Sequence, residues 1–320
     1  MKLFAVLLIF SFHANAQTTS QKDTWWFAEK QQRKAERIAR RVGLKDTVIS
    51  LEFSDLYLWI PEKMDSTKET MLLAHGMGVN GITQWDNQLK AFSEHFNLII
   101  PDMVGYDKST NKQHLFSPDV QAITMHDAIQ RLGITGKINV AGFSYGGLVT
   151  ATYHFLYEKE VDKIAICDGP VKFFTPHIAD SIIKSRDLSH FERLISPTNR
   201  RESDIFFDAL FSGKAPWLND RMQQNLIDHI FQVNAETKRE QMKFLATYAE
   251  NYLQTNYHFN NTNVLFLWGD LDGAIPYDVG KKLHAAYPIA KFHTVKGAKH
   301  DACVTFKEEF NEVLLNHFVE

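Results

Sequence analysis

Ile138-Asn139-Val140-Ala141-Gly142-Phe143-Ser144-Tyr145-Gly146-Gly147 is the stretch on which the reading of this chain turns. Its first half is an apolar run with strand character, and it leads into an apolar helical segment from Gly147 to Tyr157. Between them stands a G-x-S-x-G, with glycine two residues before and two residues after Ser144. The spacing has a steric cause. A serine lifted above the end of a sheet on a tight, strained turn leaves no room for side chains at those flanks. Alone the motif recurs by chance; a strand before it and a helix after it make it specific.

A serine hydroxyl is a poor nucleophile near neutral pH and needs an adjacent base. The chain has 14 histidines, so position must choose among them. His300 lies in Gly297-Ala298-Lys299-His300, between a predicted strand (Lys291 to Val295) and the last predicted helix. His293 falls inside that strand, His284 sits mid-helix, and His75 belongs to a different motif. An imidazole must be held in one tautomer by a carboxylate. Asp272, in Gly269-Asp270-Leu271-Asp272 after the predicted strand Val264 to Trp268, is the expected partner. Asp168, at the end of the preceding strand, and Asp270 are its rivals. The chain order Ser, Asp, His then matches a serine nucleophile on a strand-to-helix turn. Two backbone donors are expected to hold an oxyanion: the N–H of Tyr145, and that of Met77 in Ala74-His75-Gly76-Met77-Gly78.

Outward from this centre, strands and helices alternate. Runs at Val48 to Phe53, Leu56 to Ile60 and Thr70 to Ala74 read as strands, followed by a helix from Gln84 to His95 and the strand Leu98 to Ile100. A helix from Pro118 to Leu132 precedes the quoted strand, and Lys163 to Cys167 is another strand. Helices around Asp278 to Ala286 and Thr305 to Phe318 complete the pattern. Such alternation predicts an α/β fold: a mainly parallel central sheet flanked by helices. Residues 171–259 break the rhythm with helical spacing and no clear strand, and read as a helical lid inserted between two strands. The α/β core is then 17–170 and 260–320, including an N-terminal helix over 22–42.

Met1-Lys2, the apolar run Leu3 to Phe12 and Ala14-Asn15-Ala16 have the form of a signal peptide over 1–16. The chain is therefore expected to be exported, periplasmic or secreted. The basic helix from Lys22 to Val42, with Trp25, Trp26 and Phe27 at its start, could lie on a membrane. Its apolar stripe (Ala28, Ala35, Ala39, Val42) is too small for firm insertion and predicts packing on the domain instead. A net charge of −3 gives no field that favours nucleic acid. Cys167 and Cys303 are the only cysteines, which excludes a disulfide scaffold and leaves room for one bridge; burial in a strand accounts for Cys167 without it. No H-E-x-x-H and no glycine-rich nucleotide loop occurs, so neither metal nor cofactor is implied.

With those residues in place, the chain resembles the lipase and esterase branch of the α/β-hydrolase superfamily, in its monoacylglycerol-lipase-like members. The likeness rests on His75-Gly76 with Trp85, Pro101-Asp102 with Gly105, Gly142 to Gly147, Gly269 to Asp272, Gly297 to His300, and a lid around Ala215-Pro216-Trp217-Leu218. It implies carboxylic-ester hydrolysis by Ser144, Asp272 and His300, without a cofactor. The aromatics of the lid (Phe173, Phe174, Phe206, Phe207, Phe211, Trp217) suggest a small-molecule substrate with an apolar acyl or aryl group. An amide or carbon–carbon substrate is the alternative, and a non-catalytic ligand receptor a more distant one. A serine nucleophile argues against the halide- and epoxide-cleaving relatives, which use aspartate. One departure is Asp107, where many members have glycine.

Overall fold

The computed structural model describes residues 26–213, 223–224, 226–253, 257, 259 and 263–319. The expected signal segment, Trp25 and the stretch Ala215 to Leu218 lie outside these residues. Eight strands form one sheet: β1 (Leu44–Ser50), β2 (Asp55–Pro61), β3 (Glu69–Ala74), β4 (Phe96–Pro101), β5 (Ile138–Phe143), β6 (Val161–Cys167), β7 (Asn263–Gly269) and β8 (Lys291–Val295). Their order is β1-β2-β4-β3-β5-β6-β7-β8. β2 pairs antiparallel with β1 and β4, and every other pair is parallel. This is the sheet of the α/β-hydrolase fold.

The helices in chain order are α1 (Trp26–Arg41), α2 (Gly81–Gln84), α3 (Leu89–Ser93), α4 (Pro118–Arg131), α5 (Tyr145–Tyr157), α6 (Pro176–Arg186), α7 (Glu192–Ile195), α8 (Arg200–Leu210), α9 (Ala235–Leu253), α10 (Tyr277–Ala286), α11 (Ala302–Thr305) and α12 (Lys307–Val319). β4 and β5 are buried at every position, as parallel strands covered on both faces must be, and hence read as unbroken apolar runs. Alternation along each strand divides two cores. Met71 and Leu73 of β3 join Trp85, Phe92, Phe310 and Phe318 on one face. Leu72 and Ala74 join Met125, Leu148, Val149 and Leu283 on the other.

α1 packs on the domain as its small stripe predicts, with Ala35 and Ala39 fully buried. Part of its basic face is engaged within the chain: Lys34 pairs with Asp86 at 2.8 Å and Arg40 with Asp46 at 2.9 Å. Among the described residues no helix is long and apolar enough to cross a membrane. Both cysteines are free and buried.

Three boundaries differ from the sequence reading. The strand expected over Val48 to Phe53 runs instead from Leu44 to Ser50, because its ladder with β2 extends from Leu44 opposite Pro61 to Ser50 opposite Asp55. The single helix expected over 84–95 is two short ones, because residues between them are drawn into tertiary bonds. Gln88 Nε2 donates to Cys303 O at 3.0 Å and to Asn311 Oδ1 at 2.8 Å, and Asp86 takes Lys34. The last helix begins earlier, at Ala302, and breaks before Lys307. Between β6 and β7 the described elements are all helical, including a π-helical turn at Ile227–Phe231. α9 is tied to the loop after β4 by Thr237 Oγ1 donating to Gly105 O at 3.0 Å and by Tyr106 Oη donating to Gln241 Oε1 at 2.6 Å.

Phe310 is fully enclosed and tilts against Trp85 with ring centroids 6.4 Å apart, fastening α12 to the sheet. Phe310→Ala is expected to cost about 3–5 kcal/mol, transfer plus cavity. Urea unfolding measures it, and a loss under about 1 kcal/mol would mean that α12 is not anchored there.

Candidate active site

Ser144 occupies the turn between β5 and α5 with φ 56° and ψ −124°, a conformation that residues with side chains rarely adopt. The turn is held from both sides: Ser144 N donates to Cys167 O and Gly147 N to Ser144 O, each at 2.8 Å. The flanking glycines are obligatory. A Cβ on Gly142 would collide with the carbonyl of Gly146, and one on Gly146 with the carbonyls of Ala74 and His75. The steric reading of the motif is thus met by named backbone atoms.

His300 sits on the loop after β8. Its Nε2 is 2.8 Å from Ser144 Oγ, and its Nδ1 is 2.6 Å from Asp272 Oδ2. The Asp272 carboxylate can only accept, so Nδ1 carries the proton and bare Nε2 faces the hydroxyl. Asp272 Oδ1 accepts the amides of Ala274 at 2.7 Å and Ile275 at 2.9 Å. The Asp272 side chain is wholly buried, so its charge is compensated by these donors rather than by water. A linear hydroxyl–imidazole–carboxylate chain of this kind can draw a proton from the serine as it attacks.

The rival carboxylates separate cleanly. Asp270 turns outward and accepts the Gly297 amide at 2.6 Å. Asp168 is buried beside Asp272 but bonds the Gly269 amide at 2.9 Å, not the imidazole. Asp168, Asp272 and His300 offer ligand atoms within 4.8 Å of one another. Within that group Asp272 Oδ1 is taken by the Ala274 and Ile275 amides, Oδ2 by His300 Nδ1, and His300 Nε2 faces Ser144.

Met77 and Tyr145 both line the cavity that Ser144 and His300 face. Tyr145 is the first residue of α5, so its amide belongs to the unpaired first turn and to the positive end of the helix. A Cβ on Gly76 would lie 3.2 Å from Ser144 Cβ, which places the loop carrying Met77 directly beside the serine. The His75 side chain shapes this loop. Met103 N donates to its Nε2 at 2.8 Å, so the proton rests on Nδ1, which donates to Gly76 O at 2.7 Å. Burial pushes His75 down to about 4 and keeps it neutral.

Some residues of the site carry no sequence signal. Ser212, just after α8, donates through its amide and hydroxyl to Asp301 at 3.0 and 2.5 Å, and its Oγ accepts the Lys299 amide at 2.8 Å. The Gly273 amide donates to Ala209 O at 3.2 Å. The end of α8 therefore clasps the loops of both Asp272 and His300. The cavity holds about 570 Å³ and is walled mostly by residues from between β6 and β7, such as Phe174, Ile183, Phe191, Met242 and Leu245. Asp107 adopts φ 45°, in the region that favours glycine, and accepts from Asn80 Nδ2 at 2.5 Å. A short acidic side chain tolerates that backbone when it bonds locally, which accounts for aspartate at a glycine position.

Residues 69–306 match the family model for the alpha/beta hydrolase fold. Lipase 3 of Moraxella sp. (strain TA144) is 24% identical over 269 residues, covering 78% of this chain and 79% of the relative. The 2-hydroxy-6-oxononadienedioate/2-hydroxy-6-oxononatrienedioate hydrolase of Escherichia coli (strain K12) is 26% identical over 270 residues, covering 78% and 86%. The solved structure of the Lip1 protein of Acinetobacter baumannii AYE has the same fold, with TM-score 0.73 at 16% identity over 96% of this chain and 98% of that one.

His317 shares the state of His75: buried, facing Ile164 O from Nε2 at 3.0 Å, and pushed down to about 4 mainly by burial. In the unfolded chain each titrates near 6.5. Between those values the unfolded state binds more protons, so stability falls as pH falls. Each histidine forfeits on the order of 3 kcal/mol by about pH 4. Urea midpoints should drop steeply from about pH 6.5 downward, and His317→Gln, which keeps a donor, should flatten part of that slope. An unchanged slope contradicts burial in the neutral form.

Proposed function

The chain belongs to the α/β-hydrolase fold family, and from that premise we propose that it is a serine hydrolase that cleaves a carboxylic ester through an acyl-enzyme intermediate. One observation carries the reading: the unbroken chain from Ser144 Oγ through His300 to buried Asp272, at 2.8 and 2.6 Å, in the wall of a largely apolar cavity. Ser144 Oγ attacks the ester carbonyl carbon while its proton passes to His300 Nε2. Asp272 holds the Nδ1 proton and stabilises the imidazolium. The tetrahedral oxyanion sits between the amides of Met77 and Tyr145, preorganised by a neutral His75 and by the start of α5. Collapse expels the alcohol, which takes the proton from His300. Water then attacks the acyl-enzyme by the same route, with His300 as its base.

The substrate is a small molecule whose acyl or aryl part is apolar, supported by Phe174, Ile183, Phe191 and Met242 in the cavity wall. The helices between β6 and β7 act as a lid over Ser144. A lipase among the relatives agrees with ester cleavage. The Escherichia coli relative, named as a hydrolase of a 2-hydroxy-6-oxo dienedioate, supports carbon–carbon cleavage by the same residues as the second reading. Export to the periplasm or beyond is supported by the Leu3 to Phe12 run and Ala14-Asn15-Ala16.

Nitrophenyl esters of rising acyl length test the proposal. Hydrolysis well above background with an optimum at a medium or longer chain is expected, and background rates throughout would favour the carbon–carbon reading. Asp272→Asn should lower kcat by about 10⁴, since the wrong tautomer would face the serine. Near-normal turnover in that variant would remove Asp272 from the proposed role.

A further inference from the structure

Asp168 is a second buried carboxyl beside the proposed catalytic pair, and the hydrolytic scheme makes no use of it. It follows β6 at φ 48°, its amide donating to Leu267 O at 3.0 Å and its Oδ1 accepting the Gly269 amide at 2.9 Å. The side chain is wholly enclosed, and its Oδ2 receives no hydrogen bond from any described residue. One of its carboxyl oxygens lies within 4.8 Å of one of Asp272. Two carboxyls so close and so dry cannot both be ionised.

The donors decide which of them keeps the proton. Asp272 accepts from the amides of Ala274 and Ile275 and from His300 Nδ1; Asp168 accepts from Gly269 alone. Three N–H donors stabilise a negative charge, whereas one does not offset complete desolvation. We propose that Asp168 is a positioning residue that stays protonated, its Oδ2–H donating to the Asp272 carboxylate so that the chain runs Asp168–Asp272–His300–Ser144. The kinetic consequence rests on the serine-hydrolase reading; the location of the proton does not.

The other groups around Asp168 act in the same direction. Asp301 is a further buried carboxyl, and the Cys167 and Cys303 thiols are pushed well up by burial and stay neutral. His300 alone among them can become a cation. Burial first, and the Asp272 charge second, hold the Asp168 carboxyl well above the usual carboxylate range. A carboxylate has about four lone-pair sites, and the Asp168 proton fills the one left on Asp272. That fourth bond fixes the plane of Asp272. The plane of Asp272 in turn fixes the orientation of the His300 ring through the bond at Nδ1.

Two measurements test this. Infrared difference spectra of the wild type against Asp168→Asn at neutral pH should show a protonated-carboxyl C=O band present only in the wild type. Its absence overturns the proposal whether or not the protein hydrolyses esters. In ester kinetics Asp168→Leu, which removes the donor, should lower kcat by about ten- to a hundredfold with little change in KM. Asp168→Asn keeps an uncharged donor and should restore kcat to within about threefold. The acid limb of kcat/KM, where His300 must be neutral, should stay in place in Asp168→Asn. A limb displaced by about one pH unit or more toward acid would mean that a negative charge beside the imidazole had been removed, and would overturn the proposal. If the wild type itself cleaves no ester, the ester reading fails and the infrared band alone decides the proton.

Discussion

Ser144 is held at positive φ, and most of the neighbouring structure serves to keep it there. Such a backbone costs about 1–3 kcal/mol and persists only where its surroundings over-determine it. Here they do: the Ser144 amide is committed to the end of β6, the first turn of α5 closes on the Ser144 carbonyl, and β3 packs so near that Gly146 can carry no side chain. Relaxing the turn would require parting β5 from β3 and β6 at the centre of the sheet. The strain is thereby borne by the whole parallel sheet, and the hydroxyl is presented above its edge.

Around that turn the problem is one of buried charge. Asp272, Asp168 and Asp301 lie within a few residues of one another in space, all withdrawn from water. Each has its own compensation: three N–H donors for Asp272, Ser212 and Thr305 for Asp301, and neutrality for Asp168. The helices between β6 and β7 take part in this. Ser212 and Ala209 hold the loops that carry His300 and Asp272, so the helices that wall the cavity also align the imidazole. Geometry at the serine and shape of the cavity are coupled through the end of α8.

Legibility in the sequence followed the reach of each interaction. Short-range rules were enough for β5, the Ser144 turn and α4, where Ser117 caps the helix and Pro118 opens it. The pairing of Asp272 with His300 was readable because each follows a strand of strong pattern, and adjacency of β7 and β8 brings their loops together. The break at Trp85–Gln88 was not readable, since it depends on Cys303 and Asn311 more than 200 residues away. Ser212 belongs to no motif, and the cavity wall is built from helices whose apolar spacing looks the same whether it faces a core or a ligand. Asp107 was visible only as a departure; its positive φ explains it.

The most direct measurement is to treat the protein with a fluorophosphonate and locate the adduct by peptide mass spectrometry. A single adduct on Ser144, absent from Ser144→Ala and suppressed in His300→Ala, is the expected result. No adduct, or one that persists elsewhere in Ser144→Ala, would contradict the claim that the strained turn presents an activated nucleophile.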